Sequence, residues 1–246
     1  MTLALIALFL PLFPLSVVQN LILARVRAPS VRAALLLLWP QLGVTLLQLW
    51  RPDIPAFIVV WAIVSAAFYA FRLLTVRDLG VWASLFASSA LALTWGLAAH
   101  GADETALRLF ALWFSLPAAL LLLLTGPLTQ RLGAAYAGLF AGIAERQPRL
   151  AFVLTAVVLT AIATPPFPGF FALLDLLRNL GGGGALGVLG VWLIWGWAAT
   201  RLLQGFVAAS GREVAGDDLK RGGILMYTAA LTAFAVAGLL IVVGGL

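Results

Sequence analysis

The stretch that decides the fold is Leu159 to Leu176, LTAIATPPFPGFFALLDL. An apolar helix runs into Pro165, Pro166 and Pro168, with Gly169 behind them, and a second apolar segment carrying Asp175 comes next. Proline lacks the amide donor and its ring clashes with the preceding turn, so one helix cannot run unbroken through this point. At membrane depth a broken helix is tolerated only where it is buried in protein or lines a polar cavity. Transporters use such breaks to present free backbone groups to an ion or substrate. The break itself, Pro165, Pro166, Phe167, Pro168, Gly169 and Phe170, is therefore the first candidate site.

The composition requires a membrane. Of 246 residues 63% are hydrophobic and 10% charged, with mean hydropathy +1.10, whereas soluble domains carry roughly 25% charged residues. The expected fold is all-α, a polytopic integral membrane protein forming a single transmembrane domain over 1–246. The absence of cysteine excludes disulfides, thiolate metal sites and thiol nucleophiles. A single histidine, His100, excludes a multi-histidine metal or haem centre. No phosphate-binding loop, dinucleotide fingerprint or histidine-centred triad is present. No catalytic residue, metal or cofactor is expected. The segment MTLALIALFL lacks a basic region and a small-residue cleavage site, and reads as a retained first helix.

Apolar runs of spanning length occur at about 2–24, 32–49, 54–75, 79–99, 105–125, 149–179, 185–208 and 223–246, so about eight transmembrane helices are expected. One of them, near 160–178, is discontinuous. The stretch 126–148 reads as a connection or short interfacial helix, and GGGG at 181–184 as a flexible connection. Alternating the connections places Arg25, Arg27, Arg32, Arg72, Arg77, Arg131, Arg146, Arg149, Arg212, Lys220 and Arg221 on one side. Only Arg51, Arg108 and Arg178 fall on the other. The positive-inside rule makes the first side cytoplasmic and sends both termini outside. The net charge of +6 thus encodes topology, and no nucleic-acid partner is expected.

Ionisable groups inside spans are the default functional candidates, because inserting one costs at least about 2.5 kcal/mol. Asp175 is either a proton or cation site beside the break or an interfacial acid pairing with Arg178 at i+3. Arg201 either belongs to such a path or snorkels to the headgroups. Ser84, Ser88 and Ser89 form a small-residue face that allows close helix packing or, alternatively, lines a water chain. The nine tryptophans read as interface markers and packing groups.

Segment 141–175 resembles part of the antiporter-like membrane subunits of respiratory complex I (L, M and N). The same family holds the large subunits of Mrp-type antiporters and the membrane subunit of DAB-type inorganic-carbon accumulation systems. Gly142, Pro148, Pro165, Pro166, Phe167, Gly169, Phe170 and Phe171 match the family pattern as they stand. FSLPAALLLLLTG (114–126) and 57–89 fit more loosely, and the resemblance runs over about 55–205. It implies a discontinuous helix with a functional lysine, one of a row relaying protons along the membrane plane. It also implies a bacterial inner-membrane location and other membrane subunits of a hetero-oligomeric complex as partners, with a soluble cytoplasmic subunit as a further candidate and membrane lipid around it. The relay lysines fall here on Leu173 and Ala118, a third loosely on Trp82, and the family histidine on Phe114. The resemblance and its departures leave two functions open. In one, the chain is a reduced subunit with a supporting role; in the other, it conducts protons or cations through the broken helix and Asp175.

Overall fold

A computed structural model describes residues 1–139, 142–208 and 217–243. The expected cation Arg212 and half of the loop 210–223 fall outside these described residues, as does part of 126–148. Among the described residues eleven helices succeed one another: α1 Thr2–Phe9, α2 Ser16–Arg25, α3 Pro29–Trp50, α4 Ala56–Leu73, α5 Leu79–Ala92, α6 Thr94–Ala99, α7 Glu104–Leu132, α8 Pro148–Ala161, α9 Pro168–Asn179, α10 Gly182–Val207 and α11 Arg221–Val243. No strand occurs among the described residues. α3, α4, α7, α10, α11 and the α5–α6 pair are each long and apolar enough to cross a membrane. The chain is an all-α polytopic membrane protein.

The other two segments, 2–24 and 149–179, are each built from two half-helices in series. The second was expected; the first was not. Pro11 and Pro14 break the segment read as a retained first helix, and the chain resumes as α2. Each break contains a cis X–Pro bond, Phe13–Pro14 in one and Pro165–Pro166 in the other. Among the described residues a second discontinuous helix thus joins the expected one.

α5 is the centre of the bundle. All of its residues except Val81 are buried, as a helix apolar or small on every face must be. Ala83, Ser84, Ala87, Ser88 and Ser89 keep its profile narrow, so that α2, α4 and α7 all reach it. α3 packs along α7, α10 along α4, and α11 along α8 and α9. The outer helices show the reverse pattern: Leu49 is 72% exposed, Leu193 77% and Phe57 66%. Such a surface is sustained by lipid, not by water.

Two connections differ from their sequence reading. α7 runs to Leu132, through Pro127, and stops at Gly133 with φ 80°, a left-handed position suited to glycine. The described residues that follow form a connecting strap, the first of the two readings of this stretch, and not an interfacial helix. Leu79 N donates to the Ala135 carbonyl, Ala137 N to Arg77, Gly138 N to Gly205 and Ile143 N to Phe206. Gly142 permits the closest approach, since a Cβ there would overlap the Val207 carbonyl. Gly182–Gly184, expected to be a flexible connection, instead open α10. At the membrane surface a helix satisfies their backbone groups, which outweighs glycine's entropic cost.

Asp218 pins the α10–α11 connection to α8. Its carboxylate accepts from Arg149 N at 2.9 Å and Leu150 N at 3.1 Å, capping a helix whose own N-cap, Gln147, makes no side-chain bond. Asp218→Ala is expected to lower stability by about 1–2 kcal/mol. Thermal unfolding in detergent micelles measures this, and an unchanged midpoint would show that the cap contributes nothing.

Candidate functional site

Breaking a helix frees carbonyls and amides that lipid cannot satisfy. At both breaks the protein itself supplies the partners. In the first, indole N–H groups do it: Trp39 donates to the Leu8 carbonyl (2.9 Å), Trp95 to Leu10 (3.1 Å) and Trp61 to Phe13 (2.7 Å). Phe13 N donates to Ser65 Oγ at 3.1 Å. In the second, α8 ends in a Schellman turn, with Ala163 left-handed (φ 57°), Ala163 N bonded to Thr160 and Thr164 N to Leu159. The Ile162 carbonyl accepts from Trp192 Nε1 at 2.9 Å. The Pro166 carbonyl lies directly under Gly238 of α11. Trp192→Phe, which removes one donor and keeps an aromatic ring, is expected to cost about 1 kcal/mol in an unfolding titration.

A buried polar track leads from one end of the bundle towards its middle. It starts at a cavity of about 200 Å³ lined by Asn20, Arg32, Tyr69, Arg72 and Ser84 among apolar neighbours. The Tyr69 hydroxyl shares a hydrogen bond with Ser16 Oγ (2.5 Å), and Asn20 Nδ2 donates to Ser88 Oγ (3.0 Å). Ser84 Oγ donates to the Gly80 carbonyl, and Ser89 Oγ to Ala66 at 2.7 Å. The track ends where Trp195 Nε1 donates to Ser89 Oγ at 2.9 Å.

Beyond Trp195 the interior is aromatic. Trp82 stacks on Phe86 (centroids 5.5 Å, planes 3° apart), and Phe86 meets Trp195 edge-on at 5.1 Å. Phe114 lies 5.9 Å from Trp195 and 4.9 Å from Phe110. All five rings are at most 2% exposed. Phe114 reaches the second break, where its ring faces Gly169. Leu173 and Ala118 are likewise fully buried. The positions to which the resemblance assigns relay residues, Leu173, Ala118, Phe114 and more loosely Trp82, thus carry apolar side chains out of contact with solvent.

Three solved structures share this architecture. A chain of respiratory complex I from Thermus thermophilus superposes with TM-score 0.81 at 20% identity, over 96% of this chain and 53% of that one. The chain has the antiporter-like fold. A chain of the Mrp complex from Dietzia sp. DQ12-45-1b gives 0.77 at 16% identity (98% and 55% covered). A chain of the membrane-bound sulfane sulfur reductase, an archaeal respiratory membrane complex, gives 0.75 at 15% (94% and 51% covered). In sequence, 48 residues are 48% identical to NADH-quinone oxidoreductase subunit N of Anaplasma phagocytophilum (strain HZ), covering 20% of this chain and 10% of that one. No family model matches. The chain therefore spans about half the length of its structural relatives, and its match to the curated one covers a tenth of that protein.

Within the antiporter-like fold the two ionisable candidates lie apart. Asp175 is exposed on α9 while Leu173 and Leu176 are buried; two residues along a helix is a turn of about 200°. It opens into a groove of about 390 Å³ shared with Asp103, Phe110 and Trp113. Arg178 forms no ion pair with it, and among the described residues the salt bridge is Glu104–Arg108 at 2.6 Å. Arg201 is exposed at the strap end, on a groove of about 560 Å³ with Arg77 and Gly138. At the break, Pro165 and Pro166 are exposed, Phe167 and Phe170 half-buried, and Pro168 and Gly169 buried. The polar track is what sequence reading missed. Ser84, Ser88 and Ser89 pointed to it, but Ser16, Asn20 and Tyr69 carried no signal of their own.

Proposed function

We propose that this chain is a supporting membrane subunit of a proton- or cation-translocating complex, keeping the antiporter-like fold with its conduction path closed. The observation that carries the reading is the Trp82–Phe86–Trp195–Phe114 cluster, which stands between the polar track and the second break. A proton crosses a membrane interior along titratable groups or ordered water, and these rings offer neither. The sulfane sulfur reductase, Mrp and complex I likenesses support membrane subunits of a larger assembly as partners. The excess of cations at the α2–α3, α4–α5 and α7–α8 connections supports a bacterial inner-membrane orientation with these ends in the cytoplasm and both termini outside.

Deleting the gene tests the role directly: the membrane proteins that copurify with the chain should fall in abundance. Their assembly at wild-type levels would end the supporting reading. A second reading, conduction past Asp175, is favoured by the open groove in which that carboxylate sits beside Asp103. It requires Asp175→Asn to abolish proton uptake by the reconstituted complex while assembly survives. Unchanged uptake removes Asp175 from any path.

A further inference from the structure

The cavity at the head of the polar track is lined by two arginines and by no acid. Arg72 is exposed at the end of α4, and Arg32 is half-buried near the start of α3. Among the described residues neither forms an ion pair or a side-chain hydrogen bond, and the buried Arg32 Nε has no acceptor there. The guanidinium of Arg32 lies over Gly80, where a Cβ would come within 2.9 Å of Nη1. The carboxylate that attracts Arg32, Asp78, is engaged on the Val81 amide at 2.8 Å. A buried cationic donor left without an acceptor is costly unless a ligand completes it.

The surroundings specify the ligand. Arg25, Arg27 and Arg77 belong to the α2–α3 and α4–α5 connections at the same end, against the one acid Asp78, so that end carries a net positive charge. The cavity is also lined by the surface residues Val17 (41% exposed), Leu21 (52%) and Val81 (41%). Arg72 also heads a second, shallow apolar groove along α4, over Val64, Phe68 and Phe71. Paired guanidinium forks match a phosphate, and apolar grooves descending from them match acyl chains. We propose that Arg32 and Arg72 bind the phosphodiester headgroup of an anionic phospholipid, with Asn20, Tyr69 and Ser84 at the floor of the headgroup site and the chains lying outside against α2, α4 and α5.

The test uses the full chain purified in detergent, titrated with phosphatidylglycerol, with phosphatidylcholine of the same chains, and with sodium phosphate. Native mass spectrometry and thermal shift are the readouts. Phosphatidylglycerol should be retained and raise the melting temperature, and Arg32→Gln/Arg72→Gln should weaken it about tenfold or more. Arg178→Gln, at the opposite end, should leave binding unchanged. If the double variant does not fold, Arg72→Gln alone, at an exposed helix end, should weaken binding about threefold. Undiminished binding in the variants, or equal loss with Arg178→Gln, would overturn the site. Equal affinity for phosphatidylcholine would overturn charge recognition, and equal stabilisation by phosphate alone would replace the lipid with a free anion.

Discussion

Gly238→Ala is expected to unseat α11 from the broken helix and to cost about 3 kcal/mol. The new methyl would overlap the Pro166 carbonyl oxygen and press on Pro168 N and Phe167 C at 3.0 and 3.1 Å. All three are backbone atoms of the break, so no side chain can swing aside, and α11 must move as a body. Retreat would also uncover the Pro166 carbonyl, which lipid cannot satisfy. The measurement is the unfolding midpoint in micelles, with Gly196→Ala as control. Nothing lies within 4 Å of a Cβ at Gly196, so that change should be neutral or stabilising by up to about 1 kcal/mol. If both variants unfold alike, the contact between α11 and the break does not hold the fold together.

Leu173→Lys is expected to have the larger effect. It restores the residue type that the family resemblance implies at this position, yet Leu173 is fully buried and Asp175 turns into a groove on the other side of α9. A charge placed there without a counter-ion should cost at least about 3 kcal/mol. The variant should fail to accumulate in the membrane or should unfold at markedly lower denaturant, whereas Leu173→Met should behave like the parent. A stable Leu173→Lys protein would reveal an acceptor in the interior and overturn the proposal of a closed conduction path.

The residues made some of this legible and hid the rest for definable reasons. The all-α class comes from the apolar runs, and the break at Pro165–Gly169 from a local rule, because proline acts on its own turn. Pro11 and Pro14 carried the same signal, but an uninterrupted apolar run around them reads as a single span. Asp175 lies two residues from Leu173, so helical period alone separates their faces. The tryptophans were not legible as hydrogen-bond donors. Trp95 reaches a carbonyl 85 residues away and Trp61 one 48 residues away, and nothing in their neighbourhood distinguishes such a ring from a packing group. The aromatic cluster likewise joins α5, α7 and α10, a meeting that only tertiary packing creates.

The tryptophan bonds of the first break also set an order of assembly. Half-helices of 8 and 10 residues are about 12 and 15 Å long, too short for either to cross a bilayer by itself. The carbonyls at the end of α1 and between the two half-helices wait for Trp39, then Trp61, then Trp95. During synthesis this segment leaves the ribosome before all three of its partners. It reaches its final state only after α3, α4 and the α5–α6 pair have entered the membrane. Until then its open backbone groups need water, headgroups or an insertase, so a chain stalled before Trp95 should be a preferred target for membrane proteolysis.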